Sequence, residues 1–192
     1  RSSEIPPTYG LDHDRVIGLI AGGDSAIRKA VEFAEDNEDG AWTDLLEFQL
    51  NEKDSVIGIT ASGTTPYVLG GIKKCRENDL LTAGISCNPN SPLSDIAEIA
   101  IEAVVGPEVV TGSTRMKSGT AQKMILNLIS TTLMIRAGLV LDNKMVNMQL
   151  SNNKLWDRGV RYIVEALSIS NEEALEALKK HGSVQSVLNA YA

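Results

Sequence analysis

The sequence has 192 residues, of which 43% are hydrophobic and 22% charged, so it is long enough for one ordinary core and a small appended segment. A formal net charge of −7 excludes nucleic acid and anionic membrane as favoured partners, because an acidic chain repels phosphate groups. No apolar run approaches the roughly 20 residues that span a bilayer. We expect a cytoplasmic protein whose cysteines, Cys75 and Cys87, are reduced thiols rather than a disulfide or a zinc site.

The chain opens with RSSEIPPTYG, which has neither an initiator methionine nor a leading strand. We therefore expect part of the fold to lie upstream of Arg1. Pro6 and Pro7 lack the backbone N–H that a helix interior or a central strand uses. The pattern predicts a stiff, extended segment that carries Glu4.

Apolar runs followed by helical patterns come next along the chain. Residues 16–21 (VIGLIA) form the first predicted strand, and Asp24 begins a helical pattern that reaches about Asp36. Residues 56–60 (VIGIT) repeat this order. In the helix that follows, Thr65 is the expected N-cap and Pro66 the first helical residue.

Residues 82–86 and 99–104 are the third and fourth predicted strands. Uninterrupted apolar strands that alternate with helices are typical of a parallel sheet covered on both faces. The sequence therefore predicts an α/β fold, a three-layer αβα sandwich with a mainly parallel sheet. Ligands of such folds bind at the carboxyl ends of the strands.

Beyond Gly106 the pattern is helical. Apolar residues recur at helical spacing from Ala121 and stop at Gly138, and a second long helix is predicted over about 143–166. Ser170–Glu173 (SNEE) is a capping box, and a last short helix begins at Val184. We divide the chain into an α/β domain, residues 1–140, and a C-terminal helical extension, residues 141–192, whose helices serve packing or subunit pairing.

Two loops are suited to bind an anion, because each one leads into the positive N-terminus of a helix. The first contains Ser62, Gly63, Thr64 and Thr65, but it has neither the lysine of a Walker loop nor the glycine spacing of a dinucleotide site. A small phosphorylated metabolite remains as the ligand. The alternative is a helix start with an ordinary Thr-Pro cap.

The second loop lies within residues 106–127 (GPEVVTGSTRMKSGTAQKMILN), where small residues, hydroxyls and two cations precede an apolar helix. A plain Gly/Ser-rich turn with a well-capped helix is the alternative. If the loop binds an anion, the donors are Ser113, Thr114, Arg115 and Lys117.

The acid and base candidates are carboxylates. From spacing alone, Glu35 is one charge on a solvated acidic face within EFAEDNED, and Glu4 lies on the proline-rich segment. His13 and His181 have no partner at a useful spacing. The sequence supports neither a catalytic triad nor a metal site, and we expect no metal and no cofactor.

Six collinear runs resemble the N-acetylmuramic acid 6-phosphate etherases, which are sugar-isomerase (SIS) domain proteins related to the glucokinase regulatory protein. The runs are EIPPTYG, GLIAGGDSAIRKAVEFAEDN, GITASGTTPYVLGGI, GISCNPNSPLS, VVGPEVVTGSTRMKSGTAQKMILNLIS and MVNMQLSNNKL, and GSTRMKSGTAQK is the most specific part. Ile5 stands where the family has a cysteine, and the tail from about Ala166 matches weakly. The family's glycine-rich phosphate loop would lie upstream of Arg1.

This resemblance implies an SIS-type domain in residues 1–140, a homodimer, a phosphosugar substrate and a role in peptidoglycan recycling. It implies cleavage of the D-lactyl ether of N-acetylmuramic acid 6-phosphate to N-acetylglucosamine 6-phosphate and D-lactate. The family's two acid/base glutamates match Glu4 and Glu35, which replaces the solvated-face interpretation of Glu35. The alternative is a non-catalytic sugar-phosphate-binding regulator of the glucokinase-regulator type, which would need the hydroxyl loops but not both glutamates.

Overall fold

The computed structural model describes residues 2–191 and divides into two compact units. The sheet unit comprises residues 19–126. The helical unit combines the residues up to Gly18 with those from Asn127 onward. The predicted division at residue 140 stays a prediction.

The sheet unit is built on three parallel strands in the order β1 (Ser55–Ile59), β2 (Leu81–Ser86) and β3 (Ile99–Glu102). Helix α3 (Pro66–Glu77) connects β1 to β2, and α4 (Pro92–Ile96) connects β2 to β3. Because the strands are parallel, their carboxyl ends lie at one edge of the sheet. The loops that follow β1 and β2 therefore meet at this edge.

Glycines let α3 and α4 lie directly on one face of the sheet. A Cβ at Gly58 would lie 2.7 Å from Ile72 of α3, and a Cβ at Gly84 would lie 2.7 Å from Leu93 of α4. Ile72 and Leu93 are fully buried between these helices and the strands. The close contact holds the helix starts next to the carboxyl edge.

Helix α2 (Gly40–Leu45) packs against the opposite flank of α3. A Cβ at Gly70 would lie 1.9 Å from the carbonyl oxygen of Glu38, and the Tyr67 hydroxyl donates a hydrogen bond of 2.6 Å to Asp44. These contacts fix the segment around Glu38 to α3.

The helical unit contains α1 (Ile5–Tyr9), the short hairpin of β4 (Val140–Leu141) and β5 (Lys144–Met145), α6 (Asn153–Leu167), α7 (Asn171–His181) and α8 (Val184–Tyr191). The boundary between the units falls within α5 (Lys117–Arg136). The core of the helical unit consists of Val146, Met148, Ile163, Ala174, Ala177, Leu178, Val184 and Val187. Among the described residues, no helix is both long enough and apolar enough to cross a bilayer.

The prediction of an α/β fold with a parallel sheet and C-terminal helices is confirmed. Thr65 is the N-cap of α3, and α5 ends before Gly138, whose φ is 74°. The capping box is also present, since the Ser170 hydroxyl accepts from the Glu173 amide and the Glu173 carboxylate accepts from the Ser170 amide. These features depend on local signals.

The predicted extended segment around Pro6 and Pro7 is wrong, because Ile5–Tyr9 forms the helical turn α1. The prolines occupy first-turn positions, where the missing N–H has no intrahelical partner in any case. The helix predicted from residue 143 starts only at Asn153, after the hairpin.

The strand predicted at 16–21 and the helix predicted from Asp24 to Asp36 are also wrong. Residues 16–21 are irregular, because an apolar run becomes a strand only beside a partner strand, and none pairs with it in the described part of the chain. Residues 24–36 form only the 3₁₀ turns Asp24–Ile27 and Ala34–Asp36, and Ile27 is 69% exposed. An amphipathic helix needs its apolar stripe packed to be stable.

Gly70→Ala should lower the free energy of unfolding by about 1–3 kcal/mol, because the added Cβ meets the Glu38 carbonyl. Gly119→Ala is the matched control, since its nearest contact would be an ordinary 3.5 Å and the better helix former should add about 0.5–1 kcal/mol. Urea denaturation measures both values. An equal increase in the free energy of unfolding in both variants would contradict the packing of α3 on the Glu38 segment.

Candidate functional site

Residues 60–65, here called the hydroxyl loop, follow β1 at the carboxyl edge of the sheet. The Thr60 hydroxyl hydrogen-bonds to the hydroxyls of Thr65 (2.7 Å) and Ser62 (3.2 Å), and the Thr64 amide and hydroxyl donate to the Ser62 hydroxyl. The backbone amides of Ser62, Gly63 and Thr65 donate no hydrogen bond to any group within residues 2–191. The loop thus presents free N–H donors ahead of the N-terminus of α3.

The conformation of the hydroxyl loop depends on glycine at position 63. Gly63 has φ 75°, and a Cβ there would lie 2.3 Å from the Cβ of Ser91. The Leu93 amide donates to the Gly63 carbonyl (3.0 Å), and the Asn88 side chain donates to the Ser62 carbonyl (3.2 Å). The segment after β2 therefore holds this loop from one side.

Thr60, Asn88 and Ser91 are structural partners of the hydroxyl loop that were not predicted from the sequence. The available signal was the run NPNSP, whose turn-forming residues directly follow a strand. Loops after parallel strands meet at one edge, so this run was a signal from which a neighbour of the hydroxyl loop could have been found.

Glu102, at the end of β3, adds a carboxylate to the same edge. Its side chain accepts a hydrogen bond from the Ser91 amide at 3.4 Å. Hydrogen bonds from the Ser94 hydroxyl and then from the Ser91 and Asn90 amides hold the pKa of Glu102 below its ordinary value. The charge lies beside the residue that packs on Gly63.

The second predicted anion loop is closed by the chain's own carboxylate. Glu108 accepts from the amides of Lys117 (3.0 Å) and Ser118 (2.9 Å), and these bonds lower its pKa. The Lys117 ammonium donates to the Pro107 carbonyl at 2.8 Å. The start of α5 is thus already satisfied, and phosphate binding by Ser113, Thr114, Arg115 and Lys117 stays a prediction.

Both thiols are buried. Cys75 is 0% exposed, and burial raises its pKa to about 11, so it is not a nucleophile near neutral pH. The Cys87 thiol contacts the Ser118 carbonyl at 3.8 Å, which places the start of α5 at the carboxyl edge of the sheet. Gln122, one turn further along α5, has the only buried side-chain nitrogen without a partner among residues 2–191.

The two candidate acid/base residues lie on separate units. Glu4 is exposed at the N-cap of α1 in the helical unit, and its side chain does not cap that helix. Glu35 is exposed in the 3₁₀ turn Ala34–Asp36 of the sheet unit, three residues before the carbonyl that packs on Gly70. Their meeting in one site stays a prediction.

The chain is similar over nearly all its length to proteins named N-acetylmuramic acid 6-phosphate etherase. The protein of Bacteroides thetaiotaomicron is 59% identical over 190 residues, which are 99% of this chain and 69% of that protein. The protein of Christiangramia forsetii is 57% identical over the same shares, and that of Porphyromonas gingivalis is 58% identical over 96% of this chain and 67% of its own length. The chain belongs to the N-acetylmuramic acid 6-phosphate etherase family.

Part of the etherase-family chain also matches a family model. Residues 4–76 match the glucokinase regulatory protein N-terminal SIS domain. This range includes Glu4, Glu35 and the hydroxyl loop, and it ends within α3. The resemblance that the sequence motifs indicated is thereby confirmed.

Iodoacetamide at about pH 8 should leave Cys75 unmodified in the folded protein and modify it in urea, as mass spectrometry would detect. The folded state retains the proton of this thiol more tightly than the unfolded chain. Its contribution to stability is therefore complete below pH 9.0 and is lost as the pH rises towards about 11. Rapid labelling of Cys75 under native conditions would contradict its burial on α3.

Proposed function

We propose that this chain binds N-acetylmuramic acid 6-phosphate and cleaves its D-lactyl ether, giving N-acetylglucosamine 6-phosphate and D-lactate. The observation that carries the proposal is 59% identity, over 99% of this chain, to a protein named for that activity. We further propose a homodimer in the cytoplasm, as the sequence resemblance implies. A non-catalytic regulator is less well supported, because the match to the glucokinase regulatory protein covers only residues 4–76.

The phosphate is proposed to bind the hydroxyl loop. Two features support this location. The amides of Ser62, Gly63 and Thr65 are free, and the loop leads into the positive N-terminus of the 12-residue helix α3. In a chain with net charge −7, such local donors are what can hold a doubly charged phosphate. Ser113, Thr114, Arg115 and Lys117 are proposed as further contacts. The Lys117 ammonium donates one hydrogen bond to the Pro107 carbonyl and has two further N–H donors.

Glu35 is proposed to act as the base and Glu4 as the acid in an elimination that releases the lactyl group. Glu35 takes the C2 proton, which is acidic because C2 lies next to the C1 aldehyde of the open-chain sugar. The C3–oxygen bond breaks, a C2–C3 double bond forms, and Glu4 gives its proton to the departing lactyl oxygen. As a carboxylate, Glu4 then takes a proton from the water that adds at C3, while protonated Glu35 returns its proton to C2.

The acid role makes a demand on the surroundings of Glu4. A carboxyl group that holds a proton near neutral pH needs burial or a nearby negative charge. The side chain of Glu4 is exposed in the structure, so the bound substrate itself is proposed to cover it. The side chain of Glu35 is exposed, so a substrate can reach it, as the base role requires.

The decisive experiment follows lactate release and the exchange of the C2 hydrogen with deuterated solvent. The unmodified protein should show both. Glu4→Ala should lose lactate release and retain exchange, because only the leaving-group acid is missing, whereas Glu35→Ala should lose both. Glu32→Ala, an exposed neighbour in the same acidic run, is the control and should leave both rates unchanged.

Three results would count against the proposal. Binding of the phosphosugar without any lactate from the unmodified protein would favour the regulator. Lactate release by Glu4→Ala at the unmodified rate would remove Glu4 from the reaction. If Glu4→Ala lost C2 exchange and Glu35→Ala retained it, the roles of the two glutamates would be interchanged.

Thr64→Val and Ser62→Ala should raise the KM for the substrate more than they lower kcat, provided that the loop binds the ground and transition states equally. Either change removes the 2.9 Å bond between the two hydroxyls that shapes the loop. Thr132→Val, at an exposed position of α5, is the control for the same chemical change. An unchanged affinity for N-acetylglucosamine 6-phosphate in both variants would show that the phosphate does not bind this loop.

A further inference from the structure

We propose that residues 146–150, here called the support segment, set the position of Glu4, and that the C-terminal helices act on the reaction through this segment. The inference rests on the proposed function and extends it to positioning residues that touch no substrate. All the residues involved belong to the helical unit. It gives the C-terminal helices a role beyond the packing expected from their sequence.

The turn that carries Glu4 is tied to the support segment by its backbone. The Gly10 amide donates to the Pro6 carbonyl at 2.8 Å and closes α1. The Gln149 amide then donates to the Pro7 carbonyl at 3.0 Å. Proline has no N–H, so the carbonyl is the only backbone group through which Pro7 can form a hydrogen bond.

Gly10 brings the end of α1 against the support segment. It has φ 71°, and a Cβ at this position would lie 2.3 Å from the carbonyl oxygen of Asn147. Any other residue would be strained and would also push the two backbones apart. The backbone of Gly10 therefore lies directly against the backbone of residue 147, with no room for a side chain between them.

The C-terminal helices hold the support segment in turn. Val146 is 1% exposed and Met148 3% exposed, and both belong to the core formed with α6, α7 and α8. The Gln185 amide, in the first turn of α8, donates to the Val146 carbonyl at 3.0 Å. The side chains of Val146 and Met148 thus anchor the segment in the core, while the Asn147 carbonyl and the Gln149 amide face α1.

The hairpin strand that precedes the support segment has its own anchor on α6. The Lys144 ammonium forms an ion pair with Glu165 and lies 5.4 Å from the ring centroid of Tyr162. Its stacking on the ring adds to the charge pair. The chain therefore enters the support segment from a fixed point.

Glu4 depends on this support because its own side chain does not fix it. The carboxylate is exposed and caps nothing, whereas the next residues, Ile5 and Pro6, are buried. Its place is therefore set by the backbone of α1. A shift of about 1 Å in a reacting group can cost about 100-fold in rate.

The test compares two substitutions of one residue whose side chain is exposed. Gln149→Pro removes the amide that donates to Pro7, and Gln149→Ala keeps it. In Gln149→Pro, kcat for lactate release should fall by about 100-fold, with C2 exchange and affinity for N-acetylglucosamine 6-phosphate unchanged. This is the pattern expected of Glu4→Ala. Gln149→Ala should behave as the unmodified protein.

Gly10→Ala provides an independent variant, because it strains the same contact from the other side. It should also lose lactate release and retain C2 exchange. Amide hydrogen exchange supplies a readout that needs no turnover. Gly10, whose amide closes α1, should exchange faster in Gln149→Pro than in Gln149→Ala, with β1 to β3 unchanged.

Lactate release at the same rate in Gln149→Pro and Gln149→Ala would overturn the inference. So would a joint loss of lactate release, C2 exchange and phosphosugar affinity, because a general loss of folding would explain it. The absence of lactate from the unmodified protein would overturn the proposed function instead. In that case the exchange of the Gly10 amide alone decides whether the support segment holds α1.

Discussion

The close contact of α3 with the elements on both of its flanks is the constraint on which the sheet unit depends. Gly58 lets the helix lie on β1, and Gly70 lets the backbone of Glu38 lie on the helix. A glycine within a helix costs about 1 kcal/mol relative to alanine, so its presence at position 70 indicates that packing outweighs propensity. One rigid helix thereby joins the hydroxyl loop at its N-terminus to the segment that follows Glu35.

Local donors, rather than overall charge, decide where this acidic protein is suited to bind a phosphate. The hydroxyl loop has free amides, while the start of α5 is closed by Glu108. Glu102 adds a further negative charge at the carboxyl edge. The sequence predicted an anion site at both loops, and the structure shows that Glu108, nine residues before Lys117, accepts the hydrogen bonds of the first amides of α5.

The two proposed acid/base residues have separate supports. The segment after Glu35 is fixed to α3, and the turn after Glu4 is fixed to the support segment. Each carboxylate is exposed on an element that its neighbours hold in place. Such an arrangement keeps the reacting groups accessible to a substrate while it limits the motion of the backbone that carries them.

The sequence by itself determined the family, through collinear motifs, and the elements whose signals are local. The strands β1 to β3, the start of α3 at Thr65 and the capping box at Ser170 are examples. Only the tertiary structure decided that residues 16–21 and 24–36 form neither the strand nor the helix that their patterns predicted. It also decided the helical turn at Pro6 and the hydrogen bonds that the start of α5 donates to Glu108. The physical reason is that a cap or a strand-helix period lies within a few adjacent residues, whereas a partner strand, a packed stripe or a distant hydrogen-bond donor exists only after the chain has folded.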